Sequence, residues 1–373
     1  MLISILQIMN PFLSKKFRFY SFLSMVLLVF VHGYNLHDRY MQPWTLVDEP
    51  LNFTTFTEYF LANGIFRFRI PMLFAISGYL FAMHDETPHW QRIRKRARTL
   101  LLPYFIWSMI GLLIAVLLAN WTVTRDVVYN SHLQPSDKKF GDYSIAEWVS
   151  AILWPTSFQL WFLRCLFMYN MLYPWLLKGV SKAPKIIFAI FGFLWLSTFG
   201  VILLEGEGLL FFSLGIWLCK SHKDVEFKPK WLNLPIAVLL FVVIAGFKTW
   251  LAFDVKYINA SRFFMFSFLH KVTILLGLLV VWFGCNELVN YLMGKHWFVK
   301  LSSFSFIIYA LHVPLITYLI DPFFGIIEII PYYRIITFFV LPILVILFCM
   351  LTGWVLRKTM PKVYSVLTGG RGF

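Results

Sequence analysis

Residues 91–121 read QRIRKRARTLLLPYFIWSMIGLLIAVLLANW: Arg92, Arg94, Lys95, Arg96 and Arg98 come first, followed by a 23-residue run without a single charge. About 20 apolar residues at 1.5 Å each cross a hydrocarbon core of roughly 30 Å, so the second part is long enough to span a bilayer. Backbone groups in lipid must bond within their own segment, which makes the run a helix. The basic residues before it mark the cytoplasmic end.

The same pattern recurs outward in both directions. It predicts ten spans at about 19–36, 64–83, 99–121, 158–177, 186–204, 208–220, 231–251, 263–283, 302–320 and 333–356. The expected class is all-α: a polytopic membrane protein of about ten transmembrane helices with both termini cytoplasmic. Three segments follow, a cytoplasmic N-terminal stretch 1–18, a membrane domain 19–356 and a cytoplasmic tail 357–373. Composition agrees, since 60% of the 373 residues are hydrophobic and only 14% charged, where a globular domain carries roughly a quarter. The 41 Phe, 15 Trp and 17 Tyr suit lipid-facing helices with rings at the headgroup level.

A formal charge of +15 invites a nucleic-acid reading, but the bases cluster where topology wants them: Lys15, Lys16 and Arg18, the 92–98 run, Lys220 to Lys230, and Arg357 to Arg371. No nucleic-acid partner is expected. Cys165, Cys219, Cys285 and Cys349 stand at least 54 residues apart, a spacing from which no disulfide framework or metal knuckle follows. The outer connections 37–63 and 122–157 carry acids, among them Asp38, Asp48, Glu49, Asp137 and Asp142, with Asp254 on a further loop.

Function is sought where polar groups lie at bilayer depth, because a charge at a helix centre costs about 2.5–3.5 kcal/mol on insertion scales. His32 sits about 20 Å along the first helix from residue 19, in the outer third of the core, where a neutral imidazole accepts a proton from a hydroxyl. A polar helix end bonded to a neighbour is the plainer reading. Asn35, just beyond it, joins the candidate binding residues. His312, in YALHVP, lies near mid-membrane beside Pro314, which frees a backbone carbonyl; packing around that kink is its first reading and chemistry its second. Arg67, Arg69 and Arg164 stay charged and need a carboxylate, carbonyls, water or an anionic ligand. Arg69 and Arg164 are expected in a water-filled, ligand-bearing cavity. The 91–98 cluster anchors topology, and its arginines, Arg94 and Arg98 among them, are suited to donor phosphates. No GxSxG, HExxH, P-loop or GxGxxG motif is present.

At these residues the sequence resembles acyltransferase family 3, the integral-membrane O-acyltransferases of bacterial surface glycans. The likeness runs in order through FYSFLSMVLLVFVHGYN, FRIPMLFAISGYLF, RIRKRARTLLLPYFIWS and LWFLRCLFMY, with a weaker SSFSFIIYALHVPLI. The resemblance implies transfer of an acyl group, usually acetyl from cytoplasmic acetyl-CoA, to a sugar hydroxyl at the outer face of the bacterial cytoplasmic membrane. His32 then stands for the catalytic histidine, and Arg69, Arg164 and Arg94 to Arg98 for arginines holding donor or acceptor. The family often has Arg or Lys eleven positions before the histidine; here that position is Ser21, with Arg18 a turn further back.

The expected mechanism has His32 deprotonating the acceptor hydroxyl, which attacks an acyl-CoA thioester while arginine charge steadies the oxyanion. The co-substrate is acetyl-CoA or another acyl-CoA, with no permanently bound cofactor and no metal. The partners are a carbohydrate or glycolipid acceptor and the lipid bilayer. The alternative is a multi-span carrier or flippase for a glycan or small anion, with the arginines as substrate clamps.

Overall fold

The computed structural model describes residues 10–37, 41–134, 136, 138–201, 203–221 and 224–372. Residues 1–9 and the loop positions Asp38, Arg39, Pro135, Asp137 and Lys223 lie outside the described residues. The chain is a bundle of helices, and each of the ten expected spans overlaps one.

Helix α1 (Pro11–His32) starts well before residue 19 because local chemistry sets its start. The Asn10 side chain accepts the Phe12 N–H at 2.9 Å, and Pro11 takes the first turn, where a missing N–H costs nothing. The segment before residue 19 is therefore no free tail. Lys16 is fully buried, paired with Glu226 at 2.9 Å and 4.1 Å over the Trp282 ring.

The second expected span belongs to a continuous run: α2 (Phe53–Tyr59), a π-helical turn at Phe60–Gly64, a 3-10 turn at Ile65–Phe68 and α3 (Arg69–Met83). Then come α4 (His89–Arg96), a π-helical turn at Ala97–Leu101 and α5 (Leu102–Ala119). Two short helices, α6 (Thr122–Asn130) and α7 (Ile145–Leu153), fold the long connection that follows. The start of α7 is a capping box. Its Glu147 carboxylate takes the Ser144 N–H and hydroxyl and pairs with Lys138, which draws its pKa down to about 2.

Helices α8 (Trp161–Lys182) and α9 (Pro184–Leu196) follow. The fifth expected span, 186–204, is cut short. At Leu196 the helix gives way to Thr198 with a left-handed φ of 55°, then to a hairpin of β1 (Gly200–Val201) and β2 (Leu204–Glu205), with Gly200 opposite Glu205. The remaining helices are α10 (Gly206–Lys220), α11 (Leu234–Asp254), α12 (Ala260–Gly284), α13 (Asn286–Met293), α14 (His296–Ser302), α15 (Ser305–Ile327), α16 (Tyr333–Thr359) and α17 (Pro361–Thr368).

Among the described residues, six helical runs are long and apolar enough to cross a membrane: 53–83, 89–119, 234–254, 260–284, 305–327 and 333–359. The other four expected spans fall on α1 and α8, which carry basic residues, and on the shorter α9 and α10. Leu239 of α11 and Leu347 and Leu351 of α16 are exposed, as a lipid-facing surface requires.

Helix α1 sits at the centre, against α3, α13, α15 and α16. The closest helix pair is α3 with α10. A Cβ added at Gly78 would run into the Phe212 carbonyl, and one at Gly215 into the Ala75 carbonyl, so the two backbones touch as small-residue membrane interfaces do. Their far ends are tied by Lys220 to Asp85 at 2.7 Å, where Tyr173 also donates at 2.7 Å.

Candidate active site

His32 is the last residue of α1. Its ring stands edge-on to Phe158 at 4.8 Å and stacks on His312 at 5.4 Å. His312 owes its place to a break in α15. The residue before a proline is pushed out of the helical region, and Val313 takes φ −108° and ψ 132°. The freed Val313 carbonyl accepts from Ser157 Oγ at 3.1 Å and Gln159 Nε2 at 3.2 Å. Gln159 Nε2 also reaches the carbonyls of Tyr309 and Ala310, and Tyr309 returns a hydroxyl to the Gln159 carbonyl at 2.7 Å. His312 Nδ1 lies 2.9 Å from the Ile308 carbonyl. A carbonyl only accepts, so Nδ1 carries the proton and the buried, unpartnered Nε2 keeps its lone pair.

His32 lines a cavity of about 510 Å³ between α1, α3, α12 and the 198–207 hairpin. Arg67, Arg69, Lys271, His270, Glu205 and Glu207 all line it. The Arg69 guanidinium gives one N–H to the Phe66 carbonyl at 2.8 Å, and Arg67 reaches the Met41 carbonyl at 3.3 Å; both Nε atoms are buried without partners. Lys271 stands 5.0 Å over the Trp195 ring, and Lys248 behind it donates to Asn63 at 2.8 Å and His270 at 3.2 Å. The Trp195 indole N–H is bonded to Glu207. This is a polar, partly desolvated chamber beside a proton acceptor, with cations suited to a developing oxyanion.

A second cavity of about 240 Å³ opens on the other half of the bundle. Its cations are Arg96 and Arg371, and among the described residues no carboxylate lines it. Ser21 lines it too, while Arg18 turns away to Ser302 Oγ at 2.8 Å and the Val299 carbonyl. The two cavities approach within a helical turn, about 5 Å, on three elements at once: Met25 and Leu28 of α1, Leu73 and Ile70 of α3, Phe162 and Trp161 of α8 each serve one cavity apiece.

Of the sequence candidates, the structure gathers His32, His312, Arg67 and Arg69 in one place. Arg164 is elsewhere: it lines neither cavity, bonds the Leu153 carbonyl at 3.1 Å and lies between the rings of Tyr104 and Trp154. Arg94 and Arg98 are exposed, and Arg96 is the residue of that cluster that reaches a cavity. Asn35 is buried in a network that holds the chain beyond His32. Its N–H goes to Glu58 at 3.1 Å, its amide to the Arg334 carbonyl at 3.2 Å, and Arg334 pairs with Glu49. Residues of the two cavities or their frame that sequence reasoning missed include Gln159, Lys271, His270, Lys248, Glu205, Glu207 and Arg371. Lys271 inside an apolar run was a signal of the same kind as Arg69; Gln159 carried only its polarity.

Buried ionisable groups around a chamber in a helical membrane bundle mark a functional site of an integral membrane protein. The family described as an acyltransferase domain matches residues 8–357, and the chain belongs to it. It is also similar to the succinoglycan biosynthesis protein ExoH of Rhizobium meliloti (strain 1021), with 24% identity over 341 residues, 90% of this chain and 88% of that protein. No solved structure matches.

Proposed function

We propose that this acyltransferase moves an acyl group, acetyl in the first instance, from a cytoplasmic acyl-CoA to a hydroxyl of a surface carbohydrate or glycolipid at the outer face of a bacterial cytoplasmic membrane. One observation carries the reading: two cavities approach within a helical turn, one acid-free and basic, the other polar and lined by His32. The basic cavity takes the donor and the His32 cavity the acceptor. The similarity to a protein named for succinoglycan biosynthesis supports a polysaccharide acceptor.

In this mechanism His32 takes the proton of the acceptor hydroxyl as its oxygen attacks the thioester carbon. Arg69 holds the negative charge that gathers on the carbonyl oxygen. The carbon–sulfur bond then breaks, the ester is formed, and the CoA thiolate takes back the proton. His312 stacks on His32 and limits its ring to few orientations.

The test is radiolabel transfer from acetyl-CoA to the glycan fraction of membranes containing wild-type protein or His32→Ala, matched for inserted amount. Loss of general-base catalysis is worth about 10²–10⁴-fold, so His32→Ala is expected to lose at least a hundredfold in rate. Wild-type turnover in that variant removes the chemistry from the residue. Absence of label in both, from acetyl-CoA and succinyl-CoA alike, overturns the reading in favour of a carrier.

A further inference from the structure

Residues 369–372, Gly-Gly-Arg-Gly, close the described chain in a hook. Gly369, Gly370 and Gly372 have φ of 60°, 77° and 84°, the left-handed region that glycine enters at no steric cost. Space requires glycine at two of them as well, because a Cβ would strike the Thr99 carbonyl from Gly369 and the Ser303 carbonyl from Gly372. The Gly370 N–H returns to the Ser365 carbonyl at 2.7 Å, and Arg357 clamps the Gly372 carbonyl at 2.9 Å. The product of this geometry is the position of one side chain. Arg371 enters the acid-free cavity beside Arg96, its plane 4.9 Å from the Phe306 ring.

Among the described residues, Arg371 is fixed through Nη1, to the carbonyls of Thr99 at 2.9 Å and Thr368 at 3.1 Å. Nε and Nη2 remain for whatever fills the cavity. Two guanidiniums facing one cavity with no carboxylate among the described lining residues repel each other, and a bound oxyanion offsets that cost through paired charge-assisted bonds. Ser21 of α1 marks the level of this cavity. His32 lies eleven residues further along the same helix, about 16 Å at 1.5 Å per residue. That is the reach of an extended pantetheine arm from diphosphate to sulfur.

We propose that Arg371, presented by the glycine hook, is a phosphate-binding residue of the donor site and acts together with Arg96. The proposal rests on the donor reading of this cavity. The ligand class is a phosphorylated pantetheine thioester, with the phosphate at the hook and the thioester toward His32.

The test is equilibrium binding of CoA to the purified full-length protein in detergent, by calorimetry, for wild type, Arg371→Gln, Arg371→Lys and Gly370→Ala. Removing one charge-assisted contact is expected to weaken CoA about tenfold or more in Arg371→Gln, with partial recovery in Arg371→Lys. A Cβ at Gly370 meets open space, so Gly370→Ala strains only the hook and is expected to weaken CoA while keeping the arginine. Pantetheine, which has no phosphate, is expected to bind wild type and Arg371→Gln alike. Dephospho-CoA separates the 3′-phosphate from the diphosphate as the group contacted. Equal CoA affinity in wild type and Arg371→Gln, in protein that elutes as a single species, overturns the proposal. Tighter binding in the variant also overturns it and makes the hook a plug. Wild type that ignores CoA and all its fragments removes the donor reading itself, and the hook's role with it.

Discussion

The unpartnered Nε2 of His312 lies in the ring stacked on His32, and its Nδ1 is committed to the Ile308 carbonyl. A group so placed positions its neighbour. His312→Ala is expected to lower turnover by about tenfold, less than the loss of a general base, without changing the acceptor's KM; a single-turnover assay beside His32→Ala ranks the two. Gln159 has a different burden. Its amide serves the carbonyls of Tyr309, Ala310 and Val313 where α15 breaks. Gln159→Leu leaves buried acceptors unmet, at about 1–3 kcal/mol, and is expected to lower the unfolding temperature in detergent. At this scale the sequence showed which residues were out of place but not what they met. His32 and Arg69 were legible because a polar group in an apolar run is costly wherever it sits. Arg164 cost the same and pointed to the same cavity, yet its carbonyl comes from Leu153, on a helix whose approach no spacing in the sequence reveals. Arg371 was read as a topology charge because its use depends on three left-handed glycines acting together.

Among the elements, α3 and α10 form a single slab through Gly78 and Gly215. A methyl group at either glycine strikes a backbone carbonyl that cannot move aside, and overpacking of this kind costs about 1–3 kcal/mol or more. Gly78→Ala and Gly215→Ala are expected to reduce monodisperse protein in size-exclusion chromatography. Gly192→Ala, where a Cβ meets nothing within 4 Å, is expected to match wild type. Hydropathy located every long helix but not their ends. The start of α1 was set by the Asn10 cap and Pro11, and the end of α9 by the turn at Thr198. Caps and turns act through one or two hydrogen bonds, too little to register in a window of twenty residues.

For the whole molecule, the ten crossings with cytoplasmic termini expected from hydropathy and basic residues would put the turn at residues 84–88 and the 224–233 connection inside, and residues 138–144 and 328–332 outside. Cysteine-labelling with an impermeant reagent on intact cells is expected to modify single cysteines introduced at positions 142 and 329 but not at 86 or 230. Acid sensitivity follows from the loops. Glu49, held by Arg334 and the His37 N–H against the cost of burial, lies below its ordinary 4.5. Asp85, held by Lys220 and Tyr173, lies below its ordinary 3.8. Groups with lowered folded values stabilise the fold fully above the unfolded value and lose that contribution as pH falls through the folded one. The unfolding temperature is expected to be flat in this respect above about pH 5 and to drop below about pH 4, and to drop less in Glu49→Gln. The fold class was legible at this scale from composition and span length. The pairing of two cavities was not, since it depends on how α1, α3 and α8 lean on one another.

The residues between those cavities have a further effect. Met25, Leu28, Ile70, Leu73 and Phe162 form an apolar septum about one turn thick between the two cavities. Each elementary charge that crosses an energised membrane carries about 2.3 kcal/mol per 100 mV, so a chamber open from face to face would be a short circuit. Such a septum would keep the membrane electrically sealed while leaving only the width of a pantetheine arm to be opened when a donor thioester reaches toward His32. Cutting it back, as in Leu73→Gly with Phe162→Ala, is expected to let protons through, seen as faster collapse of a potassium-diffusion potential in proteoliposomes.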